Sequence, residues 1–128
     1  MSLNVLVSSR KTGVYAVKPQ GRLDSDTYSI LEKKIDSLLE SATRVLILDM
    51  SDLDYISSAG VRVVFKAKKG LSASGGQLMM ANLKPQIRKV FEIINALPSM
   101  SIFKNIEEAD AYLDAMQRKE IEKQKESD

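Results

Sequence analysis

The chain has 128 residues, 44% of them hydrophobic and 28% charged, which is the size and composition of one globular domain with a buried core. A formal net charge of +2 is too small to indicate a nucleic-acid or anionic-membrane surface. The sequence has no Cys and no His, which excludes disulfides and cysteine-ligated metals and removes the usual general base. It also lacks the apolar stretch of a signal peptide and any run near the ~18–20 apolar residues of a membrane span, so we expect a soluble, cytoplasmic protein.

The first half of the sequence predicts a β-hairpin, a helix and a buried strand. Residues 4–9 and 14–20 alternate in polarity as two strands, joined by a turn that contains Gly13. The helix that follows reaches about Ser41. Its possible caps are Asp24, Ser25 and Asp26, and its apolar face comprises Tyr28, Leu31, Ile35 and Leu38. Residues 43–50 form an apolar run that is typical of a strand covered on both faces.

The second half predicts three more helices and two more strands. One helix spans residues 58–73, another begins at Pro85, and the last follows Asn105. Short strands are expected at 77–81 and 100–103. The apolar faces of the three helices are, in turn, Val61, Val64, Ala67 and Leu71; Ile87, Val90, Phe91 and Ile94; and Ile106, Ala109, Leu113 and Met116.

The end of the chain carries a capping signal and a charged tail. Asn105 with Glu108 three residues on is typical of a capping box. Residues 117–128 have only Ile121 as a large apolar side chain, so this tail either frays or extends the last helix. We therefore predict an α/β fold in a single domain, residues 1–116, followed by the tail. Its mixed sheet has about five strands, an antiparallel hairpin and then parallel strands, with about four helices.

Two serines lie at the turn between the buried strand and the second helix. Ser57 and Ser58 could simply cap that helix, because a hydroxyl accepts hydrogen bonds from its unpaired backbone N–H groups. The alternative is a phosphorylation site, since a phosphate of about −1.5 to −2 charges is tolerated at a helix N-terminus and can repel an acidic partner. The exposure of each hydroxyl distinguishes these hypotheses. Gly60 next to them predicts bare backbone that another chain can approach closely.

Other kinds of chemistry have weaker support in the sequence. A nucleophilic serine would lack both the G-x-S-x-G turn and a histidine. Arg62, Lys66, Lys68 and Lys69 form a basic face that is either solvated or binds a partner's carboxylates. We expect no enzymatic activity, no cofactor and no metal. Caps and solvated turns explain most simply the five carboxylates that could in principle hold a cation, which are Asp24, Asp26, Asp49, Asp52 and Asp54.

Three segments occur in a recognisable order along the chain. They are Gly21-Arg22-Leu23-Asp24, Leu48-Asp49-Met50-Ser51 and Tyr55-Ile56-Ser57-Ser58-Ala59-Gly60. Further on come Asn82-Leu83, Pro85, Val90-Phe91 and Leu97. Together, over about residues 4–116, these segments resemble the STAS domain, which is shared by bacterial anti-sigma factor antagonists and the cytoplasmic tails of sulfate transporters.

The resemblance implies an anti-sigma factor antagonist. Such a protein, when unphosphorylated, binds a serine-kinase anti-sigma factor; the kinase ends the interaction by phosphorylating a serine at the start of the second helix, and a protein phosphatase reverses this. The matching acceptor is Ser58. The best-known members have an Asp before this serine, whereas here the position holds Ser57, which is the alternative acceptor. The implied partner-binding residues are Asp24, Ser57, Ser58, Ala59, Gly60 and Arg62.

Two other functions remain open from the sequence. One is a STAS scaffold in a sensory or transport complex, which docks a partner constitutively through the same helix edge. The other is a small-ligand or nucleotide-binding module that uses the serine turn as an anion site.

Overall fold

The computed structural model describes residues 2–127, and their side chains except at positions 120, 121 and 123–127. The strands are β1 (Leu3–Lys11), β2 (Val14–Leu23), β3 (Val45–Asp49), β4 (Leu53–Ile56), β5 (Gln77–Ala81) and β6 (Ser101–Phe103). The helices are α1 (Tyr28–Leu39), α2 (Ser58–Ala73), α3 (Pro85–Ile93) and α4 (Ile106–Ser127), and a 3₁₀ turn, Leu97–Ser99, follows α3.

One mixed sheet contains all the strands: five of them lie side by side in the order β1-β2-β3-β5-β6, and β4 pairs with β2 outside this order. β1 and β2 form the predicted antiparallel hairpin, with Val7 opposite Val17. β2 then pairs in parallel with β3, β3 with β5, and β5 with β6. The predicted α/β fold with a mixed sheet is confirmed.

The sequence pattern predicts about five strands and does not predict β4. Leu53 and Ile56 at its ends are buried, but Asp54 and Tyr55 between them are exposed, so it shows neither alternation nor an apolar run. It forms because β2 is longer than β3 and offers its last residues to a second parallel partner. β2 pairs with β3 up to Val17 and with β4 from Gly21, and the β2–β4 register shifts directly after Gly21, which has φ +114°.

The two faces of the sheet are covered unequally. Alternate residues of β3 point to opposite faces, as a strand requires: Leu46 and Leu48 pack with α1, α2 and α3, whereas Ile47 packs with α4. The larger core lies on the three-helix face and includes Phe91, which is fully buried. Leu113 of α4 closes the smaller core on the other face.

The helices follow the predicted apolar patterns except at three positions. Tyr28, expected on the apolar face of α1, is 37% exposed at the first position of that helix. Ile94, expected in the core, is 47% exposed, because α3 ends at Ile93 and the backbone turns away at Asn95, which has φ +55°. Met116, expected on the buried face of α4, is 42% exposed, because it lies beyond Leu113 beside an open groove. The errors at Ile94 and Met116 arise where a helical pattern continues past the surface that could cover it.

The start of α4 is capped and its middle is tied to the hairpin. The Asn105 Oδ1 accepts a hydrogen bond from the Glu108 N–H at 2.9 Å, as predicted, although the Glu108 carboxylate accepts from the Lys104 N–H, at 3.3 Å, and not from that of Asn105. Ion pairs join Arg10 to Asp110 at 2.6 Å and Lys11 to Asp114 at 2.8 Å. None of the helices in residues 2–127 is both long and apolar enough to cross a membrane.

Candidate functional site

The serine turn lies at the edge of the sheet where β2 and β4 both end. Leu23 of β2 pairs with Ile56 of β4, and the Ser57 N–H donates to the Leu23 carbonyl at 2.9 Å. The chain then enters α2, whose first turn is closed by a hydrogen bond from the Val61 N–H to the Ser57 carbonyl at 2.9 Å. Ser57 therefore occupies the N-cap position and Ser58 is the first helical residue. Two strand ends fix this turn in place.

The two serines differ in exposure. The Ser57 Oγ is buried and has no hydrogen-bond partner among the residues that the structure describes, so it does not cap the helix. Ser58 is exposed. The simple capping role therefore fails for the residue at the N-cap position, and the hydroxyl that a second protein can reach is the one on Ser58.

The interpretation of Gly60 as bare backbone open to another chain is wrong. Gly60 is buried, and a Cβ placed there would lie 2.8 Å from both the Ile56 Cγ1 and the Leu23 Cγ. The missing side chain makes room for the ends of β4 and β2. Gly60 thus lets α2 approach the sheet closely, which positions Ser58, and it offers no surface to a partner.

Asp24 holds the turn between β2 and α1. It is only 9% exposed, and its Oδ1 accepts hydrogen bonds from the N–H groups of Asp26 and Thr27, at 3.0 and 3.2 Å. The bond from the Asp26 N–H, together with Thr27 and the nearby Arg22, lowers the pKa of the Asp24 carboxyl, while burial acts in the opposite direction. The carboxylate is therefore ionised and fixed, and it shapes the turn more than it lines a surface.

Arg22 and Tyr55 add a cation and an aromatic ring to the same edge. Arg22 and Tyr55 are opposite each other in the β2–β4 ladder, and the Arg22 guanidinium lies 4.2 Å from the centre of the Tyr55 ring. Its Nε is 3.7 Å from the Asp24 Oδ2. Arg22 and Tyr55 are not among the partner-binding residues predicted from the sequence, because their contact depends on β4, which the sequence pattern does not predict.

A groove of about 480 Å³ runs between α1 and α2 and begins close to the serine turn. Arg62 and Lys66 of α2 line it, and Lys66 already pairs with Glu32 at 3.3 Å and Asp36 at 3.8 Å. Arg62, in contrast, makes no ion pair within the described part of the chain. The other lining residues are Ser25, Tyr28, Glu32, Ala59 and Val63.

The remaining candidates are dispersed. Within residues 2–127, the described side chains contain no group of three or more acidic residues that could hold a metal ion. Asp49 accepts a hydrogen bond from the Asn82 amide at 3.0 Å, and Asp54 pairs with Lys84 at 2.6 Å. Lys68 donates to a backbone carbonyl, that of Ser99, at 2.5 Å. The candidate site therefore comprises the α2 start with Ser58, the Arg22–Tyr55 pair and the groove that Arg62 lines.

The sequence and the structure of this chain are both similar to one family of proteins. A model of the STAS domain family matches residues 6–109. Over 92 residues the chain is 38% identical to BtrV of Bordetella bronchiseptica, which is named as an anti-sigma factor antagonist; the match covers 72% of this chain and 79% of that protein. The unphosphorylated form of SpoIIAA, also an anti-sigma factor antagonist, is similar in structure, with a TM-score of 0.74 and 23% identity over 85% of this chain and 96% of SpoIIAA. The phosphorylated form of SpoIIAA from Bacillus gives a TM-score of 0.69 and 23% identity over 85% of this chain and 99% of SpoIIAA.

Proposed function

The chain belongs to the STAS domain family, and we propose that it acts as an anti-sigma factor antagonist whose binding is switched by phosphorylation of Ser58. In this proposal the unphosphorylated protein binds a serine-kinase anti-sigma factor in the cytoplasm and thereby frees a sigma factor. The kinase then modifies Ser58 and ends the interaction, and a protein phosphatase restores the binding form. The protein itself binds partners and performs no catalysis.

One observation carries the choice of residue. Ser58 is exposed at the first position of α2, whereas the Ser57 hydroxyl beside it is buried. A kinase must bring its ATP γ-phosphate in line with an accessible hydroxyl, which favours Ser58 over Ser57. The position also suits the product, because the unpaired N–H groups and the dipole at a helix start favour a phosphate.

The surface around Ser58 has the composition of a protein interface. Tyr28 is 37% exposed and Tyr55 is 41% exposed. Arg22 contacts the Tyr55 ring at the strand-end edge, and Arg62 lines the groove that begins near this edge. Tyr and Arg are the residue types that most often dominate binding energy. We propose that the anti-sigma factor contacts Ser58, Ala59 and Arg62, with Asp24 as a positioning residue that holds Arg22.

The names of the relatives support the same role. BtrV and SpoIIAA are both named as anti-sigma factor antagonists, and SpoIIAA exists in a phosphorylated form. A phosphate on an interface serine adds about −1.5 to −2 charges that must be desolvated when the partner binds. Like charges brought together at an interface are strongly unfavourable, so phosphorylation can end binding without any change of fold.

The test is phosphorylation of the purified protein by its cognate serine kinase with ATP, followed by mapping of the modified residue by mass spectrometry. We expect a single phosphate on Ser58. Ser57→Ala is the matched control and should be modified at the wild-type rate, because its hydroxyl is buried, whereas Ser58→Ala should not be modified. Phosphate on Ser57, or on neither serine, would contradict the assignment.

A binding measurement tests the switch itself. Ser58→Ala should bind the kinase as well as the wild type does, and Ser58→Asp should bind it at least about tenfold more weakly, because it places a carboxylate at the same position. Equal affinity of the two variants would mean that charge at position 58 does not control binding.

A further inference from the structure

Ser58 and Arg62 occupy neighbouring positions on one face of α2. They are four residues apart in a continuous helix that spans Ser58–Ala73, and both are exposed. Residues at this spacing lie one above the other on a helix surface and can pair when their charges are opposite. Such a pair is most favourable when the anion precedes the cation, because the anion then lies nearer the helix N-terminus. A phosphate on Ser58 followed by Arg62 would have this order.

The cations near Ser58 are not equally available. Arg22 lies between the Tyr55 ring and Asp24, and Lys84 pairs with Asp54. Lys66, one turn beyond Arg62, is held by two carboxylates of α1. Among the described side chains Arg62 has no such partner, although it lines the groove between α1 and α2. An uncommitted guanidinium beside a helix start that carries no acidic residue in its first turn can accept a new anion at little cost.

We propose that the phosphate on Ser58 is bound within the same molecule by the guanidinium of Arg62, and that this ion pair withdraws Arg62 from the groove where it would otherwise bind a carboxylate of the anti-sigma factor. The proposal rests on the proposed function, since it concerns the phosphorylated form of the same site. A guanidinium binds phosphate and carboxylate with the same two-pronged geometry, so the two anions compete for it. Phosphorylation then removes an attractive contact in addition to introducing a repulsive charge.

These two effects can be separated because only one of them needs Arg62. If repulsion alone ended binding, replacing Arg62 would leave the effect of the phosphate unchanged. If the phosphate acts partly by taking Arg62 away, Arg62→Gln should weaken binding of the unphosphorylated form and should also reduce the further loss caused by phosphorylation. Gln is shorter than Arg, but it is also unbranched at Cβ and polar, has a similar helix preference, and removes the charged guanidinium.

The decisive experiment is a pH titration of the Ser58 phosphate by ³¹P NMR in the full-length protein, with phosphoserine incorporated at position 58 during translation. An adjacent guanidinium favours the doubly charged phosphate. The second ionisation of the phosphate should therefore occur about 0.3 to 1 pH unit lower in the wild type than in Arg62→Gln. Lys66→Gln is the matched control and should titrate as the wild type does, because Lys66 is two turns away and already paired. Arg22, Asp24 and Glu32 are present in all these proteins and do not affect the difference.

Identical titrations in the wild type and Arg62→Gln would overturn the ion pair. This result is independent of the kinase, so a failure of Ser58 to be phosphorylated would refute the proposed function and leave the ion pair to be decided by NMR. With the kinase that modifies Ser58, the affinities of wild type and Arg62→Gln, each with and without the phosphate, test the competition. Additive effects of the phosphate and the substitution would refute it, and a smaller phosphate effect in Arg62→Gln would support it.

Discussion

The starts of α2 and α4 use similar polar residues in different ways. At the start of α4 the Asn105 side chain accepts a backbone N–H at 2.9 Å, and Glu107 and Glu108 in the first turn complement the helix dipole. At the start of α2 there are two serines, but the hydroxyl at the N-cap position makes no capping hydrogen bond, and the first turn contains no acidic residue. The start of α4 is stabilised by its own side chains, and the start of α2 is not.

This difference indicates that packing, and not capping, holds the start of α2, which leaves its unpaired N–H groups free to bind an anion. Close packing of Gly60 on the ends of β2 and β4 fixes its position. The helix start still lacks the negative charge that α4 contains, and a phosphate on Ser58 would supply it. A helix start that is positioned by packing and left uncapped can change its charge without unfolding.

The largest expected effect concerns the packing of Gly60. Gly60→Ala should lower the free energy of unfolding by about 1–3 kcal/mol, because its Cβ would lie 2.8 Å from the Ile56 Cγ1 and the Leu23 Cγ. Urea denaturation monitored by circular dichroism measures this change.

Gly70→Ala, in the same helix, is the control for Gly60→Ala. There the added Cβ meets only the Leu39 Cδ1, at 3.0 Å, which is the end of a flexible side chain. Since alanine is the better helix former by about 0.5–1 kcal/mol, this variant should be as stable as the wild type or more so. If both alanine variants had equal stability, packing at Gly60 would not be what holds the α2 start.

A smaller effect is expected from removing the two N-cap side chains. Asn105→Ala should cost about 1 kcal/mol, because it leaves the Glu108 N–H without its partner. Ser57→Ala should cost close to nothing, because the Ser57 hydroxyl makes no hydrogen bond that could be lost. Thermal unfolding of both variants decides this, and a similar loss in both would mean that Ser57 does cap α2.

A negative charge at position 58 should stabilise the free protein slightly. Ser58→Asp places a carboxylate at the uncapped start of α2 and should raise the free energy of unfolding by about 0.3–1 kcal/mol at low ionic strength. Ser72→Asp, at an exposed position in the last turn of the same helix, should have the opposite sign. Both effects should shrink in 1 M salt, and an unchanged effect in salt would contradict a dipole origin.

The smallest expected effect at neutral pH is that of Asp24→Asn, which keeps an oxygen acceptor for the N–H groups of Asp26 and Thr27 and loses only the charge. The folded-state pKa of Asp24 is lowered, so its charge contributes stability above the unfolded-state pKa of about 3.9, and this contribution is lost as the pH falls through the lower folded-state value. The difference in Tm between wild type and variant should therefore disappear in acid. A difference that persists at pH 2 would mean that the charge of Asp24 is not its source.

The sequence alone determined most of the secondary structure and the place of the serine turn. The boundaries of α2, Ser58–Ala73, and of β5, Gln77–Ala81, agree with the prediction residue for residue. Periodic burial produces a pattern that can be read along one dimension, so long amphipathic helices and central strands are visible in it. The order of the motifs also led to the family that the comparisons then established.

Only the tertiary structure decided which side chains of the turn face inward. It placed Gly60 against the sheet, buried the Ser57 hydroxyl, exposed Ser58, and added β4, which brings Tyr55 to Arg22. Each of these outcomes depends on what a neighbouring strand or helix contributes from a distant part of the chain. Local spacing showed that two serines begin a helix, but the choice between them came from the ends of β2 and β4, because burial is a property of the packed molecule and not of a segment.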